Sequence, residues 1–134
     1  MGHYWSTDFF RIEDSRGSLV SLESSKSVPF QIKRVYYIFG TQTDASRGHH
    51  AHKKLKQLMV CVSGRCRVYL HDGVSESVVL LDRPNKGLFI DGMVWREMRD
   101  FSEDSVLMVL ADEHYDEADY IRSFEVFQSG IRNP

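Results

Sequence analysis

Apolar and polar side chains alternate along most of the chain, as they do in strands that bury one face. Many short strands with almost no helical periodicity predict a double-sheet barrel or sandwich. From residue 55 onward the alternation predicts strands over residues 55–62, 65–71, 76–82, 88–91, 94–99 and 105–111. Turn residues separate these strands, at Ser63-Gly64, Asp72-Gly73, Pro84-Asn85-Lys86-Gly87 and Asp91-Gly92.

The first third of the chain predicts fewer and less regular strands. Residues 9–12 are a short strand candidate, a turn follows at residues 14–18, and residues 19–23 alternate again. A longer β-branched and aromatic run covers residues 31–40. Residues 1–8 are polar, and we assign them no function.

The tail of the chain has a different pattern. Only residues 119–127 have a spacing compatible with a helix, or with an extended arm docked by its aromatic side chains.

The chain has 134 residues, of which 42% are hydrophobic and 27% charged, which fits one globular unit with a core of its own. No repeat, low-complexity tract or linker interrupts it. We therefore predict a single domain over residues 1–134.

The charge pattern excludes one class of partner and favours another. The net charge is -2 and the pI is near 6.3, which does not suggest a nucleic-acid-binding surface. Four cations nevertheless crowd a short histidine-rich stretch, namely Arg47, Lys53, Lys54 and Lys56. The chain is thus expected to attract a small anionic ligand at the histidines.

Cysteine usage and hydropathy indicate a cellular compartment. The only cysteines, Cys61 and Cys66, lie in apolar runs and are interpreted as buried thiols rather than a disulfide. No apolar stretch approaches the length that spans a bilayer, and the N-terminus lacks the pattern of a secretory signal. We expect a cytoplasmic protein without a membrane partner.

The histidine-rich stretch carries the candidate chemistry. In an extended chain the side chains of His50 and His52 point to one face and Ala51 to the other, so two imidazoles converge on one site. An imidazole of ordinary pKa titrates near neutral pH and can move protons on and off carbon. The stretch therefore predicts an acid–base site.

The spacing around these histidines matches the first metal-binding motif of the cupin barrels, in which a carboxylate and a glycine follow His-x-His. Here Gln57 stands at the carboxylate position and Gly64 at the glycine. The second motif would add a histidine, and the best match places Trp95 there. A neutral amide is a poor metal donor and an indole has no lone pair to offer, so we predict a site that works without a metal.

The strand over residues 31–40 adds a phenol. Val35, Tyr37 and Phe39 form its more apolar face, which leaves Arg34 and Tyr36 on the other. A phenol beside a guanidinium can donate protons to a substrate oxygen, although most strand tyrosines only pack.

Five segments together give the chain a family resemblance over residues 9–127. In them the sequence resembles the sugar 3,4-ketoisomerases, cupin-type enzymes that act on a dTDP-linked 4-keto-6-deoxyhexose. The segments are Asp14-Ser15-Arg16-Gly17-Ser18-Leu19, residues 32–39, Arg47-Gly48-His49-His50-Ala51-His52-Lys53-Lys54, Val94-Trp95-Arg96-Glu97-Met98, and residues 115–122.

The resemblance implies a fold, a reaction and an assembly. The fold is an all-β cupin jelly roll, or double-stranded β-helix, with a short C-terminal tail. The reaction converts dTDP-4-keto-6-deoxyglucose to a 3-keto-6-deoxyhexose through an enediol, without metal or cofactor, on the way to 3-amino-3,6-dideoxysugars of bacterial surface glycans such as O-antigen lipopolysaccharide and S-layer glycans. The assembly is a homodimer that exchanges N-terminal strands.

The resemblance also implies residue roles. His50 corresponds to the base that takes the C3 proton, Tyr36 to its proton-shuttling partner, and His52 lines the same pocket. The residues implied in substrate binding are Arg16, Arg34, Arg47, Trp95 and Arg96. Guanidinium groups suit the oxygens of a pyrophosphate or a sugar.

Two positions depart from the family pattern. His49 stands where relatives carry an aromatic residue, and by alternation it faces away from His50, which favours a structural role. Relatives differ between Arg and Tyr at Arg16 and between His and Arg at Arg96, and these differences accompany the C4 configuration of the product. Because this chain has arginine at both, its sequence leaves the gluco or galacto outcome open.

Three other functions stay open at this point. A related sugar-nucleotide epimerase would use the same acid–base chemistry without moving the carbonyl. A non-catalytic cupin would only bind a nucleotide sugar, and a metal-dependent dioxygenase is disfavoured by Gln57 and Trp95.

Overall fold

Antiparallel strands make up most of the protein, whose computed structural model describes residues 1–133. The strands are β1 (His3–Asp8), β2 (Ile12–Asp14), β3 (Gly17–Leu19), β4 (Arg34–Phe39), β5 (Arg47–His52), β6 (Lys56–Ser63), β7 (Cys66–His71), β8 (Glu76–Leu81), β9 (Lys86–Asp91), β10 (Trp95–Arg99), β11 (Val106–Ala111) and β12 (Tyr120–Ile121). A turn of 3-10 helix at Glu117–Asp119 precedes β12, and the helix α1 (Phe124–Arg132) follows it.

Two five-stranded sheets enclose the main core. The first has the strand order β1-β9-β6-β11-β4 and the second β12-β5-β10-β7-β8, while β2 and β3 form a separate hairpin. The core between the sheets takes side chains from both, among them Met59, Leu88, Leu107 and Val109 from the first and Val68, Leu70 and Met98 from the second. The predicted all-β, double-sheet architecture is confirmed.

The strands predicted after residue 55 are present as β6 to β11, with bounds within two residues of the predicted ones. The reason is visible in β7, where Cys66, Val68 and Leu70 are buried while the residues between them are more exposed. Alternation with one buried face is a reliable signal of such strands. Both Cys61 and Cys66 are buried free thiols, as predicted.

The predictions for the first third of the chain are partly wrong. The strands expected over residues 9–12 and 19–23 are not formed; the short hairpin of β2 and β3 overlaps each of them by a single residue, Ile12 and Leu19. Residues 3–8, left without a role by the sequence, form β1, the edge strand that pairs with β9. There Trp5 stacks on Phe89 with ring centroids 5.1 Å apart, and the Tyr4 hydroxyl hydrogen-bonds Ser77 at 2.5 Å. Residues 3–8 form a strand because they pair with β9, which is far along the chain, and the local pattern of residues does not reveal that partner.

Two further layers cover the outer faces of the sheets. Val28 and Phe30, in the segment before β4, pack on the outer face of the first sheet. Helix α1 covers part of the second sheet, where Phe127 is fully buried against Ala51 and Trp95. The helix begins after Ser123, whose side chain accepts a hydrogen bond from the Val126 N–H.

The tail prediction is therefore correct for a helix from Phe124 and incomplete for residues 120–121, which form β12. Within the described residues, no helix is both long and apolar enough to cross a membrane.

Candidate active site

The two histidines of β5 lie on the inner side of the second sheet, as alternation predicts. His50 is 9% exposed and His52 is 1% exposed, and their ring centroids are 4.8 Å apart. Ala51 points to the opposite face, where it packs in the cluster with α1. Tyr120, from β12, contacts both imidazoles, with its ring centroid 4.9 Å from His50 and 4.3 Å from His52.

A bulge at the start of β5 sets this arrangement. Gly48 and His49 both have positive φ, of 90° and 57°, and the register between β5 and β10 shifts so that Arg96 lies opposite His50. A Cβ at position 48 would lie 3.0 Å from the Arg96 carbonyl oxygen, which is a tight contact. Glycine suits this position because it accepts both the close approach and the left-handed backbone.

A chain of polar side chains crosses the interior beside the histidines. The fully buried Arg96 donates through Nη1 to Oε1 of Gln57, and Gln57 donates through Nε2 to the Tyr36 hydroxyl at 3.2 Å. The Nε and Nη2 groups of Arg96 donate to the carbonyl oxygen of Val94 at 3.2 and 2.9 Å. Arg96, Gln57 and Tyr36 are thus held in fixed positions relative to one another.

The expectation that Trp95 occupies the place of the missing metal ligand is wrong. The pleat of β10 turns Trp95 to the outer face of the sheet, where its ring lies 5.4 Å from Phe124 and its Nε1 donates to Glu97 at 2.9 Å. The inner position belongs to its neighbour, Arg96. Trp95 therefore does not reach the histidine site, and we do not retain it as a substrate-binding residue there.

The side chains at the position of the missing metal ligand do not fit a bound cation. Arg96 brings a positive charge to the place where a ligand would stand, and Gln57 offers only an amide oxygen that is already bonded to Arg96. Within residues 1–133, no cluster of three or more His, Cys, Asp or Glu residues could hold a metal ion. The donor set favours chemistry on an anionic or neutral substrate.

Burial and the Arg96 charge keep both imidazoles neutral. Burial, followed by the charge of Arg96, lowers the pKa of His50 to about 4 and that of His52 to about 2. This differs from the predicted titration near neutral pH, because the sequence revealed neither how deeply the rings are buried nor the guanidinium beside them. At pH 7 each ring carries one hydrogen and one lone pair, so each can accept a proton.

Two ring nitrogens at the site lack a partner. Nδ1 of His50 and Nε2 of His52 are buried and make no hydrogen bond. The phenol of Tyr36 stays protonated at neutral pH, because burial raises its pKa. Burial also lowers the pKa of Arg96 to about 10, which leaves it charged at pH 7. Unpaired buried polar atoms are costly, and a bound ligand is a natural partner for them.

Two cavities meet at the histidines. One, of about 520 Å³, lies on the His50 side. The other, of about 340 Å³, lies on the His52 side. Arg34, Tyr115 and Tyr120 line both, so these side chains form the wall between them.

The three arginines Arg16, Arg34 and Arg47, which were predicted to bind substrate, lie in different parts of the structure. Arg34 lines both cavities, with its guanidinium 5.3 Å from the ring centroid of Tyr36, and Arg47 lines the cavity beside His50. Arg16 lies at the turn between β2 and β3, where its side chain is 88% exposed and pairs with Asp14 at 2.6 Å. It does not line either histidine cavity within its own chain.

His49 sits at the rim of the cavity beside His50. Its Nε2 lies 2.9 Å from the Ser46 hydroxyl, and its Nδ1 lies 3.5 Å from the Glu97 carboxylate. These contacts suit the structural role predicted for it.

Three residues of the site carried no role in the sequence prediction. Asp119 binds Nδ1 of His52 at 3.1 Å, Tyr120 contacts both imidazoles, and Arg122 lies over the Tyr120 ring at 4.4 Å. Their only signal in the sequence was their presence in the segment over residues 115–122 that contributes to the family resemblance. Nothing local in that segment shows that it returns to β5.

A comparison with protein families identifies the chain. The family model described as "FdtA: WxcM-like, C-terminal" matches residues 3–132. The chain belongs to this family. A curated relative from Aneurinibacillus thermoaerophilus, the TDP-4-oxo-6-deoxy-alpha-D-glucose-3,4-oxoisomerase, is 54% identical over 124 residues, which are 92% of this chain and 89% of the relative.

Solved structures of FdtA family relatives have the same fold. A 3,4-ketoisomerase from Helicobacter canadensis matches with a TM-score of 0.94 and 45% identity, over 97% of this chain and 98% of that one. A histidine-to-asparagine variant of the 3,4-ketoisomerase QdtA from Thermoanaerobacterium thermosaccharolyticum, in complex with TDP-4-keto-6-deoxyglucose, matches with a TM-score of 0.93 and 42% identity, over 95% and 92% of the two chains. The predicted cupin-type jelly roll is confirmed.

Proposed function

We propose that this protein is a 3,4-ketoisomerase that converts dTDP-4-keto-6-deoxyglucose to a dTDP-3-keto-6-deoxyhexose. One observation carries the proposal: two neutral imidazoles with unpartnered, buried nitrogens lie beside a protonated phenol and a buried guanidinium. The names of the FdtA family relatives support the substrate and the reaction.

The reaction moves a carbonyl by one carbon and needs a base and oxyanion donors. A base removes the proton from C3, and the electron pair forms the C3=C4 bond while negative charge collects on O4. O4 then takes up a proton and becomes a hydroxyl, the O3 hydroxyl loses its proton and becomes the ketone, and a proton is delivered to C4. Protons only change places, so no oxidant or reductant is consumed.

Each group at the site has a task in this scheme. We assign the removal of the C3 proton to His50, which lines the larger cavity and whose Nδ1 has no other partner. Tyr36 donates to the enediolate oxygen and returns a proton. Arg96 stabilises the enediolate by its charge, since a fixed buried cation acts more strongly there than it would in water.

The remaining binding groups surround the larger cavity. We assign Arg34 and Arg47 to the pyrophosphate or sugar oxygens, because both line the cavity beside His50. Arg16 keeps its predicted role only if another subunit presents it, since its own chain leaves it on an exposed hairpin.

A homodimer with exchanged N-terminal strands would meet this requirement. The outward face of β4 supports a second copy, because Val35, Tyr37 and Phe39 are 53%, 63% and 67% exposed. Sedimentation should show a dimer for the parent protein and a monomer or weakened dimer for Phe39→Glu. A monomeric parent protein would contradict this part of the proposal.

The biological setting follows from the product. A 3-keto sugar is the substrate that an aminotransferase needs to make a 3-amino-3,6-dideoxysugar, so we propose a cytoplasmic role in bacterial surface glycan synthesis. We also propose that residues 1–134 act as one domain.

Incubation with dTDP-4-keto-6-deoxyglucose in deuterated water tests the reaction. We expect deuterium at C3 or C4 and a 3-keto product, and NMR of the product reads both the carbonyl position and the C4 configuration. A product that keeps its C4 carbonyl with an inverted neighbouring centre would assign an epimerase instead. Binding without exchange or turnover would assign a non-catalytic nucleotide-sugar-binding protein.

A further inference from the structure

The carboxylate of Asp119 holds the end of the histidine strand. Its Oδ2 lies 3.1 Å from Nδ1 of His52, and its Oδ1 accepts the backbone N–H of Lys54 at 3.2 Å. The backbone carbonyl of Asp119 accepts the N–H of Lys53 at 3.0 Å. Asp119 therefore bonds to three consecutive residues of the chain at and after the end of β5, and only one of these bonds reaches a side chain of the site.

These bonds determine which nitrogen of His52 carries the hydrogen. An ionised carboxylate can only accept hydrogen bonds, so the Nδ1 that faces it must be the donor. His52 is neutral at pH 7, because burial and the Arg96 charge lower its pKa to about 2. In a neutral ring with hydrogen on Nδ1, the lone pair lies on Nε2.

The Nε2 atom is free to use that lone pair. It is buried, it has no hydrogen-bond partner, and its ring lies edge to face against His50 with the centroids 4.8 Å apart. A buried acceptor without a donor is costly in the absence of ligand and becomes favourable when a ligand hydroxyl binds it. The O3 hydroxyl of the sugar, which must lose its proton in the isomerisation, is such a donor.

We propose that Asp119 is a positioning residue that fixes the tautomer of His52, so that Nε2 accepts the sugar hydroxyl proton. This inference rests on the proposed ketoisomerase function and extends it to a residue outside the predicted site. Asp119 touches no reacting atom and acts through His52. A purely structural role would require only that Asp119 hold β12 against β5.

The variant Asp119→Asn separates the two roles. The Lys54 N–H needs an acceptor, so the amide oxygen of the new side chain stays with it and the NH₂ group faces Nδ1 of His52. That NH₂ group is a donor, so Nδ1 must become the acceptor and the hydrogen moves to Nε2. The strand contact survives while the tautomer is reversed.

Nitrogen-15 NMR of the imidazoles reads the tautomer directly. In the parent protein we expect the pyridine-like signal of His52 at Nε2, and in Asp119→Asn at Nδ1. A parent protein whose lone pair lies on Nδ1 would overturn the proposal, whatever the behaviour of the variant. This measurement needs no substrate, so it can fail while the proposed function stands.

Kinetics give the second test. In Asp119→Asn, kcat should fall by about 10²- to 10⁴-fold with little change in KM, the range expected when an acid–base group is wrongly presented. Adding Asp119→Asn to His52→Asn should cause no further loss, because the carboxylate acts only through the ring. A full additional loss in the double variant would overturn the proposal.

The chain offers a matched control in the same segment. Asp116 caps the 3-10 turn through the Ala118 N–H at 3.0 Å and does not bond to either imidazole. The change Asp116→Asn keeps an oxygen for this cap, so activity and the His52 tautomer should stay as in the parent protein. A parent protein without ketoisomerase activity would refute the proposed function, whereas an active parent with an equally active Asp119→Asn would refute only the role of Asp119.

Discussion

Arg96 and Gln57 form a buried hydrogen bond across the interior of the site, with the guanidinium donating to the amide oxygen. No carboxylate bonds to this guanidinium within residues 1–133, so its charge is not neutralised by a direct partner. Its charge instead lowers the pKa values of His50 and His52, and the same charge can stabilise an anionic intermediate. A buried cation without a charged partner lowers the stability of the fold, so we attribute its presence to a role in catalysis.

The variant Gln57→Glu should move the acid limb of the pH–rate profile upward. Burial and, after it, the Arg96 charge hold the pKa of His50 at about 4, and a carboxylate at position 57 would pair with Arg96 and cancel its part of that effect. The pKa of the base would then rise towards its ordinary value near 6.5, so kcat/KM would begin to fall at a higher pH on acidification. The change Gln31→Glu, at an exposed position, adds the same charge and should leave the profile in place. An unmoved acid limb in Gln57→Glu would show that Arg96 does not control the base.

Replacing the proposed base should abolish most of the activity. For His50→Asn we expect a loss of about 10² to 10⁴ in kcat, the usual contribution of one general base. His3→Asn is the control, because His3 lies on β1 with its ring stacked on Trp5 and lines neither histidine cavity. If His50→Asn retains near-parental turnover of dTDP-4-keto-6-deoxyglucose, the role of base passes to His52.

Acidification should destabilise the fold through the same two histidines. In the unfolded chain each imidazole has a pKa near 6.5, whereas the folded values are about 4 for His50 and about 2 for His52. The unfolded state therefore binds more protons below pH 6.5, and stability falls by about 1.4 kcal/mol per pH unit for each histidine within its window. The loss ends near pH 4 for His50 and near pH 2 for His52.

Urea unfolding between pH 7.5 and 4.5 measures this effect. The double variant His50→Asn/His52→Asn should lose clearly less stability over that interval than the parent protein. Equal losses in both proteins would mean that other groups, such as carboxylates, account for the acid sensitivity.

The helix α1 should stabilise the sheet that carries the histidines. Phe127 is fully buried against Trp95 and Ala51, so Phe127→Ala should cost about 3 to 5 kcal/mol of unfolding free energy in a denaturant titration. Val126, the preceding residue, is 58% exposed, and Val126→Ala should change stability by less than about 0.5 kcal/mol. Similar effects at the two positions would show that the helix does not dock as described.

Alternation in the sequence was sufficient to predict much of the site and the fold. It placed His50 and His52 on one face of β5, and it placed Arg34 and Tyr36 on the face of β4 opposite Val35, Tyr37 and Phe39. It also predicted β6 to β11, whose buried faces repeat every second residue.

The failures come from geometry that is not local. The pleat of β10 turns Arg96 rather than Trp95 to the interior, and alternation alone does not say which face of a strand is the inner one. Asp119 lies 67 residues from His52 along the chain, and no periodicity links the two. The same limit explains β1, which depends on a partner far along the chain.

The two-residue strand β12 has a consequence for how the enzyme is made. Because β12 pairs with β5 at Tyr120↔His52 and Ile121↔Ala51, the histidine strand is an inner strand only after the tail has docked. A ribosome completes every other strand of the site before it reaches this segment. The nascent chain would therefore carry both imidazoles on an open edge strand, and the site would be closed only when β12 pairs with β5.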